Sequence, residues 1–331
     1  MGVYLGAIYY FLRSAHKDRI FIYIALFIVI NLIDQWGYHA KFLKLGPHPR
    51  EYFASDRIVR FLQQDKGIYR VCPINYHDKD MYLPYHGIQS VGGYVANPYH
   101  RYQEFIGAGR SVMFNPVNLI NHPHLMDMLN VKYIIGFVLP KDTLRYNVQT
   151  RASIRFWRSV FEDFQLVFNA RNGYGVYYNP DYLPRAYFIS RYKVIPEKEA
   201  MLDTLLRNPQ IVKNYVLLHE EPPKEYEPVD TFSETKIIDY TPNRIKIKVK
   251  NASPGFVVLL GNYHPNWCAY VDGKRVKVYL ANYVFRGVFV EPGEHIVEFV
   301  YCDKIFTFGF WLAVIAILGF CGIVGLRLKG Y

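Results

Sequence analysis

Two uncharged apolar stretches lie near the ends of the chain, and between them the hydrophobic pattern changes period at about residue 232. Residues 305–326 carry no charge over 22 positions, and a membrane-spanning helix needs about 20. Arg327 and Lys329 follow at once, as cytoplasmic stops do under the positive-inside rule. Ile20–Ile33 is also uncharged, and its apolar run extends to Trp36, a short span of 17 residues with Asp34 near its end. The basic loop Arg13–Arg19 precedes it. Both basic flanks predict cytoplasmic termini, with residues 37–304 outside the cytoplasm. Lys41 and Lys44 soften that asymmetry without reversing it. Residues 2–12 are apolar, but at about 1.5 Å per residue they cannot cross a core of roughly 30 Å. A cleaved secretory signal is disfavoured: no positive charge precedes this run and no small-x-small site follows Ile20–Ile33.

From residue 37 to about 232 helix-like and strand-like pieces alternate. Ser55 is placed to cap a helix carrying Ile58, Val59, Phe61 and Leu62, closed by Gly67. Ile68–Cys72 reads as a strand, Leu125–Leu129 as a short helix and Val131–Gly136 as a buried strand. Ser153–Phe161 reads as helical and precedes a hairpin across Asn172-Gly173. Arg185–Ile195 reads as one strand, Pro196 opens a helix bearing Met201, Leu202, Leu205 and Leu206, and Tyr215–His219 is a strand. A stiff acidic linker, Glu220–Pro228, closes this part.

Beyond residue 233 the period is two. Arg244–Lys250 alternates throughout, with Ile245, Ile247 and Val249 on one face and four basic residues on the other. Phe256–Leu260, Trp267–Val271, Arg275–Leu280, Phe285–Val290 and His295–Tyr301 complete a set of short strands, with Asp272-Gly273 and Pro292-Gly293 as hairpin turns. These predict a small antiparallel β-sandwich whose last strand runs almost directly into the C-terminal span. The expected architecture is therefore a membrane-anchored α+β chain. It has an N-terminal membrane segment (1–36), a mixed α/β extracytoplasmic domain (37–232), the sandwich (233–304), and a C-terminal transmembrane helix with a short tail (305–331).

Composition adds limits. The 331 residues are 51% apolar, with 19 Pro and 23 Gly, so neither a disordered chain nor a long coiled coil fits. A mean hydropathy of −0.03 is too polar for a multi-span protein. The net charge of +11 does not argue for nucleic acid, because the predicted topology puts the basic face outside the cytoplasm. Four cysteines are present, of which Cys321 lies in the span and Cys72 precedes the sandwich. Cys268 and Cys302 flank the sandwich, either as separate thiols or as a disulfide. No phosphate-binding loop, nucleophile elbow or H-E-x-x-H motif occurs. Gly107-Ala-Gly109 lacks a preceding strand, His122-Pro-His124 lacks a third ligand, and His77-Asp-Lys-Asp80 lacks the glycine and closing Glu of a calcium loop. No catalytic residue, metal or cofactor is expected.

Two groups are candidates for contact. The stripe Arg244, Lys246, Lys248 and Lys250 is either a solvated strand face, with lysines guarding an edge, or a contact for anionic headgroups or a surface polyanion. The second group draws on 30 tyrosines. Tyr263, His264 and Trp267, with Asp272, Tyr283 and Arg286, would gather sandwich loops into a glycan or partner contact; the plainer alternative is that Trp267 fills the sandwich core.

Tyr263-His-Pro-Asn-Trp-Cys-Ala-Tyr-Val-Asp-Gly-Lys274, Asn282-Tyr-Val-Phe-Arg-Gly-Val-Phe-Val290, Pro292-Gly-Glu-His295 and Val297-Glu-Phe-Val-Tyr301 resemble the C-terminal segment of YfhO-like bacterial membrane proteins. Gly92-Gly-Tyr94, Arg101-Tyr102, Leu129–Ile135 and Leu183-Pro-Arg-Ala-Tyr187 resemble the same family's large extracytoplasmic region. Members are long polytopic proteins similar to polyprenyl-phosphate-dependent glycosyltransferases, linked to decorating surface polymers such as lipoteichoic acid. The resemblance implies that this chain lacks the catalytic multi-span part and begins within the family's penultimate hairpin. The expected role is an accessory module in the bacterial cytoplasmic membrane. It would bind surface glycan or polyprenyl-phosphate sugar beside a catalytic integral-membrane partner. A scaffold subunit of a larger membrane complex is the alternative, and glycosyl transfer by this chain alone is not expected.

Overall fold

The computed structural model describes residues 20–42, 48–77, 81–93, 96–229 and 232–329. Residues 2–12, the basic loop 13–19, residues 78–80 and Tyr94 lie outside the described residues. The chain divides into two compact units at Ala54/Ser55. In the first, the apolar run forms one helix, α1 (Ile20–Ala40).

The second unit opens with helix α2 (Arg57–Leu62), whose cap is Asp56 rather than Ser55. An Asp56 carboxylate oxygen accepts the Val59 N–H at 2.9 Å, satisfying a donor left free by the helix start. The other accepts the Tyr76 hydroxyl. Strands β1 (Arg70–Pro73), β2 (Val131–Phe137), β3 (Gln165–Asn169) and β4 (Tyr174–Tyr178) form a sheet in the order β1-β2-β4-β3. The β1–β2 pair is parallel and the rest antiparallel. Asn172-Gly173 makes the predicted turn, with Gly173 at φ 89°.

Three further strands precede the linker: β5 (Ala186–Ile189), β6 (Tyr192–Val194) and β7 (Val216–Leu218). The expected single strand 185–195 is thus two. After the linker come β8 (Ser233–Tyr240), β9 (Arg244–Asn251), β10 (Gly255–Leu259), β11 (Trp267–Val271) and β12 (Lys274–Val276). They are followed by β13 (Tyr279–Ala281), β14 (Phe285–Val290) and β15 (Gly293–Tyr301).

Two sheets result: β5-β10-β14-β13-β7-β6 and β12-β11-β15-β9-β8. The first takes strands from both sides of the boundary drawn at 232/233, so the two segments share a core. The Arg275–Leu280 stretch breaks because β12 and β13 lie in different sheets. Pro292-Gly293 is likewise not a hairpin turn, since it carries the chain from β14 in one sheet to β15 in the other.

Ile245, Ile247, Val249, Val257, Leu259, Val288, Val297 and Phe299 fill the space between the sheets. The other face of the six-stranded sheet presents Phe256, Val258, Leu217 and Phe285 to Met201 and Leu205 of helix α3 (Lys198–Arg207). A sheet covered on both faces needs continuous apolar runs such as Phe256–Leu259, whereas β9, covered on one, alternates. Helix α4 (Lys304–Lys329) follows β15. Among the described residues, one helical segment, Lys304–Gly322, is long and apolar enough to cross a membrane.

Asp127, 7% exposed, bridges this core, accepting from Asn179 Nδ2 at 2.8 Å. Burial pushes its carboxyl up to about 6 against an ordinary 3.8, the Asn179 bond opposing. The native chain therefore holds a proton that the unfolded chain releases, and this group's contribution to stability falls as pH rises from about 4 to about 6. Asp127→Asn is expected to flatten that part of the stability curve and to add up to about 3 kcal/mol at pH 7, measured by denaturant unfolding between pH 4 and 8.

Candidate functional site

The sandwich meets α4 without a linker. At the end of β15, the Tyr301 N–H donates to Asn243 O at 2.9 Å and the Cys302 N–H to Asn266 O at 2.8 Å. Asp303 caps the helix, accepting the Phe306 N–H at 2.9 Å.

Aromatic rings and arginines converge on this end. Trp267 packs edge-on against Tyr301 (5.3 Å between centroids), and the His264 ring lies 5.8 Å from Tyr301 and 6.2 Å from Tyr99. Tyr263 joins through its N–H, which donates to Val284 O at 2.7 Å. The Arg286 guanidinium stacks 3.7 Å from the Trp267 ring centroid and lies 5.4 Å from that of Phe299. It therefore plugs the open end of the sandwich between the two sheets. Its Nε donates to Gly261 O at 3.4 Å. A Cβ at position 261 would stand 2.4 Å from Arg286 Nη2, so a larger residue there would push the guanidinium out of place.

Arg185 enters from just before β5. Its Nη1 donates to Leu260 O at 3.1 Å, one residue from the Arg286 acceptor, and its Nη2 donates to Gln89 Oε1. It lies over Tyr240 at 5.7 Å. Arg70, at the start of β1, donates to Leu129 O at 3.0 Å. Arg185 and Arg286 are 3% and 4% exposed. Burial pushes both guanidiniums down to about 9, and the charge of Arg70 adds to the effect on each. At neutral pH both remain cationic. Among the described residues no carboxylate pairs with Arg70, Arg185 or Arg286, and Arg185 Nε and Arg286 Nη1 have no hydrogen-bond partner.

Tyr263, His264, Trp267 and Arg286 of the expected contact group are thus brought together, but two others are not. Asp272 sits at the far end of β11 from Trp267, about 15 Å along an extended strand. There it accepts the Ile296 N–H at 2.8 Å and pairs with His295 Nδ1 at 2.7 Å, which hold its carboxyl below the ordinary value. Its role is to pin the β11–β12 turn to β15. Tyr283 is 1% exposed, and its hydroxyl donates to Glu104 Oε2 at 2.8 Å while Glu104 also binds Lys198 at 2.6 Å. It is enclosed by protein and offers no ring face to a glycan.

The basic stripe lies outward: Arg244, Lys248 and Lys250 are exposed and Lys246 half-buried. β9 is an interior strand between β8 and β15, not an edge. Glu294 and Glu234 stand opposite Lys250, and Glu298 and Asp239 opposite Lys246, while Lys248 lies between Ile296 and Lys236. Arg244 also pairs with Glu298, and Lys248 with Glu294 at 3.6 Å. Facing carboxylates leave this surface mixed in charge. Cys268 and Cys302 are free thiols at the helix end of the sandwich. Cys302 Sγ donates to Val300 O and Cys268 Sγ accepts from Arg275, each at 3.6 Å, and the neighbouring Cys268, with burial, pushes the Cys302 thiol up.

Two of the weaker motifs have structural roles. Gly107 ends a helix at φ 82°, and His124 Nε2 lies 2.9 Å from Leu205 O. Among the described residues no three metal-ligating side chains cluster. A cavity of about 730 Å³ is lined by Leu139, Arg155, Arg158 and Phe161 among others and shares no residue with the arginine group.

Arg70 belongs to no motif, and Arg185 stands in the family-like segment Leu183–Tyr187 without being marked there as a contact. The signal for Arg185 is a lone charge inside an apolar run, Leu183-Pro-Arg-Ala-Tyr-Phe-Ile189, as Tyr283-Val-Phe-Arg-Gly-Val-Phe289 is for Arg286.

A β-sandwich whose last strand enters an apolar helix, with basic and aromatic side chains gathered at that junction, defines a membrane-associated module. Residues 225–313 match the family described as bacterial membrane protein YfhO. That stretch runs from the end of the linker through the sandwich into α4, and it is a YfhO-like membrane-protein region. No match was found among curated proteins or among solved structures.

Proposed function

We propose that the chain is an extracytoplasmic module of the bacterial cytoplasmic membrane, anchored by α1 and α4. It binds surface glycan or lipid-linked sugar and positions it beside a catalytic membrane part. One observation carries this reading: Tyr263, His264 and Trp267 cluster where β15 passes directly into α4. A ligand held there would lie at the bilayer surface, where a lipid-linked sugar presents its head. Half-buried aromatic faces suit the apolar C–H patches of a sugar ring, and the polar tips suit its hydroxyls. The likeness to glycosyltransferase-related YfhO proteins supports the substrate class.

The test is a titration of the detergent-purified chain with polyprenyl-phosphate sugar. Trp267→Ala is expected to weaken binding by about tenfold, the equivalent of one stacking contact. The same mixtures with acceptor sugar should give no transfer. Turnover that disappears when one of the chain's own acidic residues is removed would overturn the non-catalytic assignment. Absence of sugar binding, with a membrane protein co-purifying in fixed ratio, would make the chain a scaffold subunit instead.

A further inference from the structure

We propose that Arg70, Arg185 and Arg286 form a binding site for a phosphoryl oxyanion, which in this position is the phosphate of a lipid. Arg185 and Arg286 occupy one end of the sandwich, donating to the successive carbonyls of Leu260 and Gly261. Arg70 of the neighbouring sheet is near enough for its charge to act on both. Among the described residues none of the three has a carboxylate partner. Two of their donors, Arg185 Nε and Arg286 Nη1, are buried with no acceptor. Burying a guanidinium without a counter-charge costs free energy, and an apolar side chain of similar volume would close the sandwich at less expense. A bound oxyanion removes that cost: it neutralises the mutual repulsion and supplies acceptors to several planar donor groups at once.

The surrounding contacts fix how such a group would be held. Trp267 and Tyr240 lie against the faces of Arg286 and Arg185, which leaves the guanidinium edges to donate. The carbonyls of Leu260 and Gly261 accept from successive arginines and hold them side by side. Gln89 is exposed, yet its Oε1 accepts from the buried Arg185 Nη2. That neutral oxygen occupies a place a phosphoryl oxygen would take, and an exposed side chain can swing away to admit it. The oxyanion chemistry stands on the arginines alone; the lipid source rests on the membrane-anchored reading above.

The experiment is thermal unfolding of the full chain in neutral detergent with polyprenyl monophosphate, polyprenol, inorganic phosphate, or chloride at matched ionic strength. Polyprenyl monophosphate is expected to raise Tm in a saturable way, with polyprenol and chloride without effect. Arg286→Met should abolish the shift, and Arg70→Gln, at a less buried position, should weaken apparent affinity by at least about tenfold. Should Arg286→Met not fold, Arg70→Gln carries the test alone. Gln89→Ala should keep the shift. An equal shift from inorganic phosphate supports the oxyanion site and overturns the lipid source. A shift shared by polyprenol or chloride, or one unchanged in the foldable arginine variants, overturns the site. Binding of the bare lipid phosphate with no gain from an attached sugar would sink the glycan reading while leaving this one standing.

Discussion

Asn282→Ala is expected to destabilise the chain by about 2–4 kcal/mol, far more than its place in a turn suggests. Asn282 is 1% exposed and sits at φ 46° between β13 and β14. Its Oδ1 accepts the Leu217 N–H at 2.8 Å, its Nδ2 donates to the Tyr187 hydroxyl at 3.1 Å, and its own N–H donates to Leu217 O at 2.8 Å. The β7–β13 ladder has a single register pair, Ala281↔Leu218. One side chain therefore does much of the joining of β7 to β13, whereas β5 and β10 join the same two segments along four register pairs. Alanine would leave a buried N–H and a buried hydroxyl unpartnered, each costing about 1–3 kcal/mol less whatever water recovers. It would also hold a left-handed backbone that Asn tolerates better. Exposed Asn262→Ala is the control, with an expected change within about 0.5 kcal/mol. Denaturant unfolding of both variants measures the difference; a loss under about 1 kcal/mol at Asn282 would show that β7 and β13 are held by apolar packing alone.

That joint also marks where the sequence stops being informative. Local periodicity is legible wherever one face decides burial. Arg244–Lys250 alternates, and Trp267–Val271 and Phe285–Val290 are strands with the expected limits. Asn172-Gly173 turns because its backbone demands it. Which sheet a strand joins is a long-range matter that no local pattern encodes. The Pro292-Gly293 turn looks the same whether its strands pair with each other or part between sheets, and here they part. The same holds for the site. Trp267 and Arg286 draw notice as chemistry-bearing residues in loops and strands of one segment. Arg185 reaches them only because β5 pairs with β10, which sets it beside Leu260, while Arg70 comes from a strand of another sheet. Asp272, five residues from Trp267, looks close in sequence and lies at the other end of a strand for the same geometric reason.

A reporter active only in the cytoplasm, fused after Tyr331, is expected to be active, and to survive one charge placed in α4 but not two. About a dozen strongly apolar side chains lie between 305 and 326, each favouring insertion by about 0.3–0.6 kcal/mol, or about 4–7 kcal/mol together. Ile315 is exposed near the middle of that run. An arginine there costs about 2.5–3.5 kcal/mol, which the remaining residues outweigh, so Ile315→Arg should still span and the reporter should stay active. Adding Leu318→Arg brings the cost to about 5–7 kcal/mol, cancels the driving force, and should silence the reporter. The doubly substituted chain also separates the two proposed anchors. Retention in the membrane fraction after carbonate extraction is expected, since α1 supplies a second apolar helix. Release into the soluble fraction would mean that α4 alone holds the protein, and a silent reporter on the unsubstituted chain would reverse the proposed orientation.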